Sequence, residues 1–391
     1  MMRLFVSALE PSANIHLRSL ALQLNAVAQR NDTIYEIVGI FDREVFKDCD
    51  CINAQAAYNL SDFAAMGFID VIKKVFFYKR INQEMIQVAS ACQKALLIDS
   101  SSFHIPLAKG LAQLKHKPEV IYYILPQVWA WKSWRAKLLE RICDRLCATL
   151  PFELNLYPNA MKQQKIHYVG HPLLDELGIT NAQSPNTESF TTKPLVQRAN
   201  GGIVFMPGSR KGEIKRVFPL FAMLAKEFQG IQKILVLPEH FRTLNQNALK
   251  TIYGADIESF QISFDATHEL TSCRFAFICS GTATLQAALL QTPFVLVYRM
   301  RKLEFYIARA FVRLNVIGLA NILYQASNLE VPGRGESRLH EELIQDDLSV
   351  ENLLQAYKRF DFAAYKQKSA RLISYLKHGS SQNIAEILAR S

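Results

Sequence analysis

Residues 275–290 read FAFICSGTATLQAALL. The first five, Phe275 to Cys279, are all apolar, the pattern of a strand buried on both faces. Ser280-Gly281-Thr282 interrupts the run, and apolar residues then return at helical spacing. A buried strand that passes through three residues into a helix is half of a parallel βαβ unit. Ser280 or Thr282 is placed to cap that helix, and its first amides face an incoming anion. The helix start carries roughly half a positive charge, which suits a diphosphate. No GxxxxGK[ST] string occurs in the chain, so this is not a nucleoside-triphosphate loop of that kind.

The same grammar extends in both directions. Upstream, IVFMPGSRKGEI (203–214) is a strand, Ile203 to Met206, followed by a turn. In that turn Gly208 permits close backbone approach, Ser209 donates a hydrogen bond, and Arg210 offers a two-pronged fork for phosphate. Ile234 to Leu237 and Phe294 to Tyr298 add strands to this half. The N-terminal half repeats the alternation, with strands expected at Arg3 to Ser7, Glu36 to Ile40, Ala95 to Asp99, Val120 to Ile124, Cys147 to Leu150 and His167 to Gly170. After the first of these, Leu17, Leu20, Ala21, Leu24 and Ala28 form one face of a helix. Strands alternating with helices imply parallel, doubly wound sheets. Residues 181–202 are polar, punctuated by Pro and Gly, and without periodicity, and they read as a linker. The expected organisation is therefore 1–180, a linker at 181–202, and 203–364. Two such domains facing across a cleft would bind ligands at the carboxyl ends of their strands.

Composition narrows the partners. The chain has 391 residues, half of them hydrophobic and a fifth charged, which excludes a disordered or collagen-like chain and suits two cores. Lys and Arg number 45 against 35 Asp and Glu, a net charge of +10 that calls for an anionic partner. Phosphorylated metabolites, anionic lipid headgroups and nucleic acid all qualify, but no zinc-finger or RNP-type motif supports nucleic acid. The longest nearly apolar stretch, Val120 to Trp131, is about 12 residues against the roughly 20 a membrane span needs. The apolar run Leu4 to Leu9 is too short for a signal peptide. The seven cysteines are expected as free thiols in a reducing cytoplasm, and none forms a CxxC zinc pair. No metal or cofactor is expected.

Several residues of the first half are placed for chemistry. Asp99, just past a parallel strand and followed by three serines, can serve as a general base for a hydroxyl nucleophile. Glu10 lies after the first strand in LEPSANIH, where Ser12 or Asn14 can cap the next helix. YYILPQVWAWKSWR holds all three tryptophans, Trp129, Trp131 and Trp134, beside Lys132 and Arg135. Aromatic faces suit sugar rings or acyl chains, and the cations suit phosphate. In GFIDVIKKVFFYKR (67–80), Phe68, Ile69, Ile72, Val75 and Phe76 recur at helical spacing among Lys73, Lys74, Lys79 and Arg80. This is either a core-facing helix with a solvated side or a basic amphipathic helix in a membrane interface. Asp48-Cys49-Asp50 matches a bare DxD and reads as a surface loop. His171, in VGHPLLDEL, is open to a structural or a catalytic role.

Taken in order, MGFIDVIKK, LLIDSSSF, YYILPQVWAWKSWR, LPFE, YVGHPLLDEL, MPGSRKGEI, SGTATLQAALLQTPFVLVYR, ANILYQ and EELIQDD resemble the lipid-A-disaccharide synthases over almost the whole chain. The resemblance implies two Rossmann-like domains of the GT-B type. It implies inverting transfer of 2,3-diacylglucosamine from UDP to the 6-hydroxyl of 2,3-diacylglucosamine 1-phosphate, in Gram-negative lipid A synthesis. It also implies a peripheral protein on the cytoplasmic face of the inner membrane, and it leaves a homo-oligomer open. Asp99 matches the aspartate proposed as base, with Glu10 beside the reaction. Gly208, Ser209, Arg210, Ser280, Gly281, Thr282, Gln286 and Asn321 fall at UDP-binding positions. Asn14, Trp129 and Arg135 fall on the acceptor and lipid side, as do Phe68, Ile69, Ile72, Lys73, Lys74 and Phe76. A final helix at about 365–391 would return to the N-terminal domain. The alternatives are another GT-B enzyme acting on a UDP-amino sugar and a non-catalytic UDP-sugar-binding protein of the membrane surface.

The chain departs from the family pattern in three places. The usual GEASGD is Leu9-Glu10-Pro11-Ser12-Ala13-Asn14, IDxPDFN is Ile98-Asp99-Ser100-Ser101-Ser102-Phe103-His104, and the glutamate after SGTA(T/A)L is Gln286.

Overall fold

In the computed structural model the described residues are 1–58, 71–179, 201–301, 305 and 314–390, with backbone alone for 71–75. The expected strands of both halves are present to within two residues at most ends. The chain divides into two compact units, Met1–Thr180 with Leu376–Ser391, and Asn181–Tyr375.

The first unit runs β1 (Met2–Ser7), α1 (Pro11–Arg30), β2 (Tyr35–Ile40), β3 (Ile52–Tyr58), α2 (Val71–Ser90), β4 (Lys94–Ile98), α3 (Ser101–Ala112), β5 (Glu119–Tyr123), α4 (Trp134–Ile142), β6 (Arg145–Ala148), α5 (Pro158–Lys162), β7 (Ile166–Tyr168) and α6 (Pro172–Glu176). Its seven strands lie in the order β3-β2-β1-β4-β5-β6-β7. Every pairing is parallel. The chain winds outward from β1 in one direction, then restarts at β4 in the other. The switch point therefore lies between β1 and β4, where loops leave in opposite directions and open a crevice. The face of α1 read from periodicity is buried in full: Leu17, Leu20, Ala21, Leu24 and Ala28.

The second unit runs β8 (Ile203–Met206), α7 (Lys211–Ala225), β9 (Lys233–Val236), α8 (Gln246–Tyr253), β10 (Gln261–Ser263), α9 (Ala266–Ser272), β11 (Phe275–Cys279), α10 (Thr282–Leu289), β12 (Phe294–Tyr298), α11 (Leu319–Ser327), β13 (Glu342–Ile344), α12 (Val350–Lys358) and α13 (Phe362–Tyr375). The sheet order β10-β9-β8-β11-β12-β13 repeats the winding, with its switch between β8 and β11. Phe205, Phe277, Phe275 and Phe221 stack through one face of its core.

The C-terminal stretch differs from the single helix expected at about 365–391. Gly379, at φ +91°, separates α13 from α14 (Ser380–Ala389). Helix α13 stays with the second unit, its Tyr365 hydroxyl donating to the Thr292 carbonyl at 2.7 Å. Helix α14 belongs to the first unit and is held at both ends. The Asp175 carboxylate accepts from the amides of Gly379 (2.5 Å) and Ser381 (2.8 Å), satisfying donors at the helix start. The buried Lys94 ammonium donates to the carbonyls of Ile387 (2.9 Å) and Arg390 (2.5 Å) at its end. Among the described residues no helix is long and apolar enough to cross a membrane.

Candidate active site

In the first unit the residues at the β1/β4 switch are Leu9-Glu10 and Asp99-Ser100. Strand β4 does not simply run on into α3. Asp99 and Ser100 both take left-handed backbone, at φ 56° and 37°. Such conformations are costly for residues with a Cβ and persist where the surroundings fix them. Here the Asp99 amide donates to the Tyr123 carbonyl at 2.9 Å. The Asp99 carbonyl accepts from the Tyr122 hydroxyl at 2.7 Å and lies 2.8 Å from His104 Nδ1. A carbonyl can only accept, so Nδ1 carries the proton. Nε2 then accepts from the Ser7 hydroxyl at 2.8 Å. Full burial holds the His104 pKa down to about 4, in keeping with this neutral form.

Asp99 is partly buried, and its carboxyl is held above the ordinary carboxylate range. Burial is the first cause and the Glu10 charge the second; the Ser100 amide and His16 act in the opposite sense. Glu10 is exposed and accepts from the Ser100 hydroxyl at 3.2 Å. Two carboxylates thus stand at one strand end, one screened from water and one wet. That is an arrangement able to take a proton from a hydroxyl.

The neighbouring Trp-rich segment follows β5. Arg135, on α4, donates to Ser101 Oγ at 3.0 Å, one residue past the strained pair. Trp129 is half-buried, edge-on to Phe152. Trp131 and Trp134 are 49% and 59% exposed, with Lys132 Nζ 4.1 Å from the Trp131 ring centre. Phe76, on α2, is 69% exposed. Phe68 and Ile69 lie outside the described residues, as do the side chains of Ile72, Lys73 and Lys74.

Asn14 does not cap α1: its amide donates to the carbonyls of Ala8 (2.8 Å) and Glu10 (2.9 Å), and its oxygen accepts from the Asp42 amide (2.8 Å). It ties the β1–α1 turn to the chain after β2. His171 is likewise structural: it is buried, its Nδ1 caps α6 by accepting from the Leu173 amide, and burial holds its pKa down to about 3. Asp48 of the DxD stretch pairs with Arg18 at 2.9 Å.

In the second unit the two turns at the β8/β11 switch touch. Gly208 has φ +106°, and a Cβ there would lie 2.7 Å from Glu213 Oε2 and 3.3 Å from Cys279 Sγ. Only glycine lets the β8 turn pass so close to the end of β11. The Glu213 carboxylate accepts from the Arg210 amide (3.3 Å) and guanidinium (3.1 Å). The Arg210 side chain is 82% exposed, oriented by Glu213 but in water. The expected cap at Ser280 or Thr282 is corrected: Gly281 is the capping residue, and no side chain caps α10. Ser280 instead remains in the sheet, its amide donating to the Val297 carbonyl at 2.9 Å. The consequence favours an anion, since no side-chain oxygen takes the first amides of α10. Gln286, one turn along, donates to Thr267 Oγ1 at 2.8 Å.

Asn321 is fully buried, donating to the His340 carbonyl (3.1 Å) and Glu342 Oε1 (2.7 Å) and accepting from the amides of Leu339 (2.8 Å) and His340 (3.2 Å). Its whole hydrogen-bonding capacity goes into seating β13. Glu342 also accepts from the amides of Ile317 and Gly318, so this network shapes the chain around α11.

Local reasoning missed His104, Tyr122 and Glu213. Glu213 carries a readable signal, three residues after Arg210 at capping-box spacing. His104 and Tyr122 carry none, because their partners are distant in sequence.

Two doubly wound parallel sheets, one ending in paired carboxylates and one in an uncapped helix start beside an arginine, are the parts of a GT-B glycosyltransferase. Solved structures similar to the chain share that architecture. The S. aureus MnaA–UDP co-structure matches at TM-score 0.60 and 11% identity, over 98% of this chain and 95% of that one. UDP-GlcNAc 2-epimerase from Neisseria meningitidis, bound to UDP-GlcNAc, matches at 0.57 and 14%, over 100% and 99%. At these identities the likeness is one of fold. Sequence decides the family. The family model for lipid-A-disaccharide synthetase matches residues 4–385. The lipid-A-disaccharide synthase of Helicobacter pylori (strain J99 / ATCC 700824) is 47% identical over 99% of this chain and 98% of its own length. That of Campylobacter jejuni (strain RM1221) is 39% identical over 98% of each. The chain belongs to the lipid-A-disaccharide synthase family and is a glycosyltransferase.

Proposed function

We propose that the enzyme moves 2,3-diacylglucosamine from UDP to the 6-hydroxyl of 2,3-diacylglucosamine 1-phosphate, releasing UDP and a β-1,6-linked disaccharide phosphate. The observation that carries the reading is the Asp99–Glu10 pair at the β1/β4 switch, with Asp99 fixed by its backbone and kept from water. Asp99 takes the proton of the acceptor hydroxyl as that oxygen attacks the anomeric carbon, opposite the departing diphosphate. One displacement inverts the α-linked donor to a β-linked product. The neighbouring Glu10 charge raises the proton affinity of Asp99. The charge that builds on the diphosphate oxygens is met by the amides at the start of α10 and by Arg210, which Glu213 orients. Gly208 and Ser209 shape that turn, with Gln286 one helical turn away, within the same surface as the nucleotide.

Both substrates are lipids, and the chain carries +10. Exposed Phe76, Trp131 and Trp134, with Lys132 and Arg135 among them, suit peripheral binding to the cytoplasmic face of an anionic membrane.

Asp99→Asn tests the reading. General-base help is worth about 10²–10⁴-fold, so turnover of the purified variant should fall by that order while calorimetric UDP affinity stays within about threefold. Near-full turnover would remove Asp99 from the chemistry.

A further inference from the structure

A cavity of about 660 Å³ lies wholly within the first unit, among the β1–α1 turn, α2 and α3. Its size falls within the roughly 300–1,000 Å³ of small-molecule sites. Leu9, Ile86, Phe103 and Pro106 give it apolar walls, to which Tyr78 adds a ring. Polar lining groups near Asp99 are Glu10 and Ser100, which are bonded to each other. Asn82 also lines it, but its amide is spent on the Phe103 carbonyl at 3.0 Å. The cavity thus combines these apolar walls with polar groups, Lys79 and Gln83 on α2 and Ser102 on α3, and its Glu10–Ser100 side adjoins the carboxylate that takes the acceptor's proton.

Its far wall is set by a close approach. A Cβ on Gly110 of α3 would lie 2.1 Å from Ile86 Cδ1 and 2.9 Å from Ile86 Cγ1. Ile86 occupies the space a side chain at 110 would need. Glycine there lets α2 and α3 close on one another and keeps Ile86 back against α3.

We propose that this cavity receives one acyl chain of the lipid acceptor, held between α2 and α3, with the sugar at Glu10 and Ser100. The proposal rests on Asp99 being the acceptor's base. Leu9, Ile86, Phe103 and Pro106 offer a hydrocarbon chain contacts that read length and bulk, and Lys79, Gln83 and Ser102 leave polar groups for the sugar phosphate of the same molecule. The cavity then measures acyl length. Each methylene taken from water is worth about 0.8 kcal/mol, so about fourfold in affinity.

The test uses the full chain with water-soluble acceptors, glucosamine 1-phosphates bearing butanoyl, hexanoyl or octanoyl chains, below their aggregation concentrations and without vesicles. The donor is fixed, and kcat/KM is plotted against chain length. The expected wild-type slope is up to about fourfold per methylene. Ile86→Trp, which places a bulky ring in the cavity wall and narrows it, should lower the slope. Gly110→Ala, which drives Ile86 inward, should stop the rise at a shorter chain. A partly unfolded preparation lowers every acceptor equally, so the slope reports the cavity and not the yield. A flat wild-type slope, or wild-type slopes in both variants, overturns the proposal. These outcomes differ from failure of the base assignment, which is read from Asp99→Asn on any single acceptor.

Discussion

Gly208→Ala offers a quantitative probe of the anion turn. At φ +106° the new Cβ brings a backbone penalty of about 1–2 kcal/mol. It would also stand 2.7 Å from Glu213 Oε2 and 3.0 Å from Glu213 Cβ, so Glu213 must swing away. The lost bond from the Arg210 amide to the carboxylate is worth about 1.5–3 kcal/mol as a charged hydrogen bond. The ion pair to the exposed guanidinium adds about 0.5 kcal/mol at most, because water screens it. Restricting the unfolded chain returns about 0.4–1 kcal/mol. The net cost is about 1.5–5 kcal/mol, which for a unit of this size lowers Tm by roughly 3–20 °C. Calorimetry should show the loss in the transition of the second unit. Because the same movement frees Arg210 and shifts the backbone beside Cys279, UDP affinity should fall at least about tenfold at a temperature where the variant is folded. A variant with unchanged Tm and unchanged UDP affinity would refute the claim that this glycine sets the turn.

Two further predictions concern protons. A base must be charged to act, so turnover is lost as pH falls through the Asp99 pKa, which burial and then Glu10 hold up. Glu10→Gln removes the second cause, and the acid limb of a kcat–pH profile should move to lower pH; a limb that stays in place would exclude coupling between the two carboxyls. Burial pushes the pKa of Glu153 up to about 8, well above its ordinary value, so the folded state holds a proton that the unfolded chain has released. Its contribution to stability is present at acid pH and is lost as pH rises toward about 8. Glu153→Gln should flatten the decline in urea-unfolding free energy over that interval, by at most about 5 kcal/mol; parallel pH curves for the two proteins would refute the burial argument.

What the sequence reveals about this fold follows from where each residue's partners lie. Strands with apolar residues on both faces, such as Phe275–Cys279 and Ile203–Met206, are legible because each sits in the sheet centre. Of the edge strands in the described sheets, Ile166–Tyr168 is legible and β3, β10 and β13 are not. Ile52–Tyr58 alternates buried and exposed positions with Asn, Ala and Gln, and Gln261–Ser263 is mostly exposed, so neither has the apolar run of a central strand. Strand β13 starts at Glu342, buried only because Asn321 and two amides satisfy it. The phosphate turns are legible because strand, turn and helix are contiguous. Which residue caps α10 is not, since Ser280 is drawn back into the sheet by Val297, a partner 17 residues on. Asn14 and Asn321 show the same limit: an asparagine near a functional loop reads equally as ligand contact or internal tie, and only the fold shows both to be ties.

The strained pair Asp99-Ser100 explains why so much buried polar chemistry surrounds one carboxylate. Two left-handed residues cost about 1–3 kcal/mol each, so the turn would relax unless it were held at several points. Three hydrogen bonds hold the Asp99 backbone, from its amide to Tyr123 and to its carbonyl from Tyr122 and His104. Both side-chain donors are fully buried, and burial opposes their ionisation: the histidine stays neutral above a pH of about 4, and the tyrosine keeps its proton well past its ordinary range. The clamp therefore keeps one protonation state across the interval in which the Asp99 carboxyl changes its own. If His104 gained a proton in the range where the Asp99 carboxyl does, its Nε2 could no longer accept from Ser7, and the turn would be free to rearrange as the carboxylate lost its charge. Burying the histidine separates the group that must titrate from the groups that must not, and the strained turn can keep a base of raised pKa in fixed position.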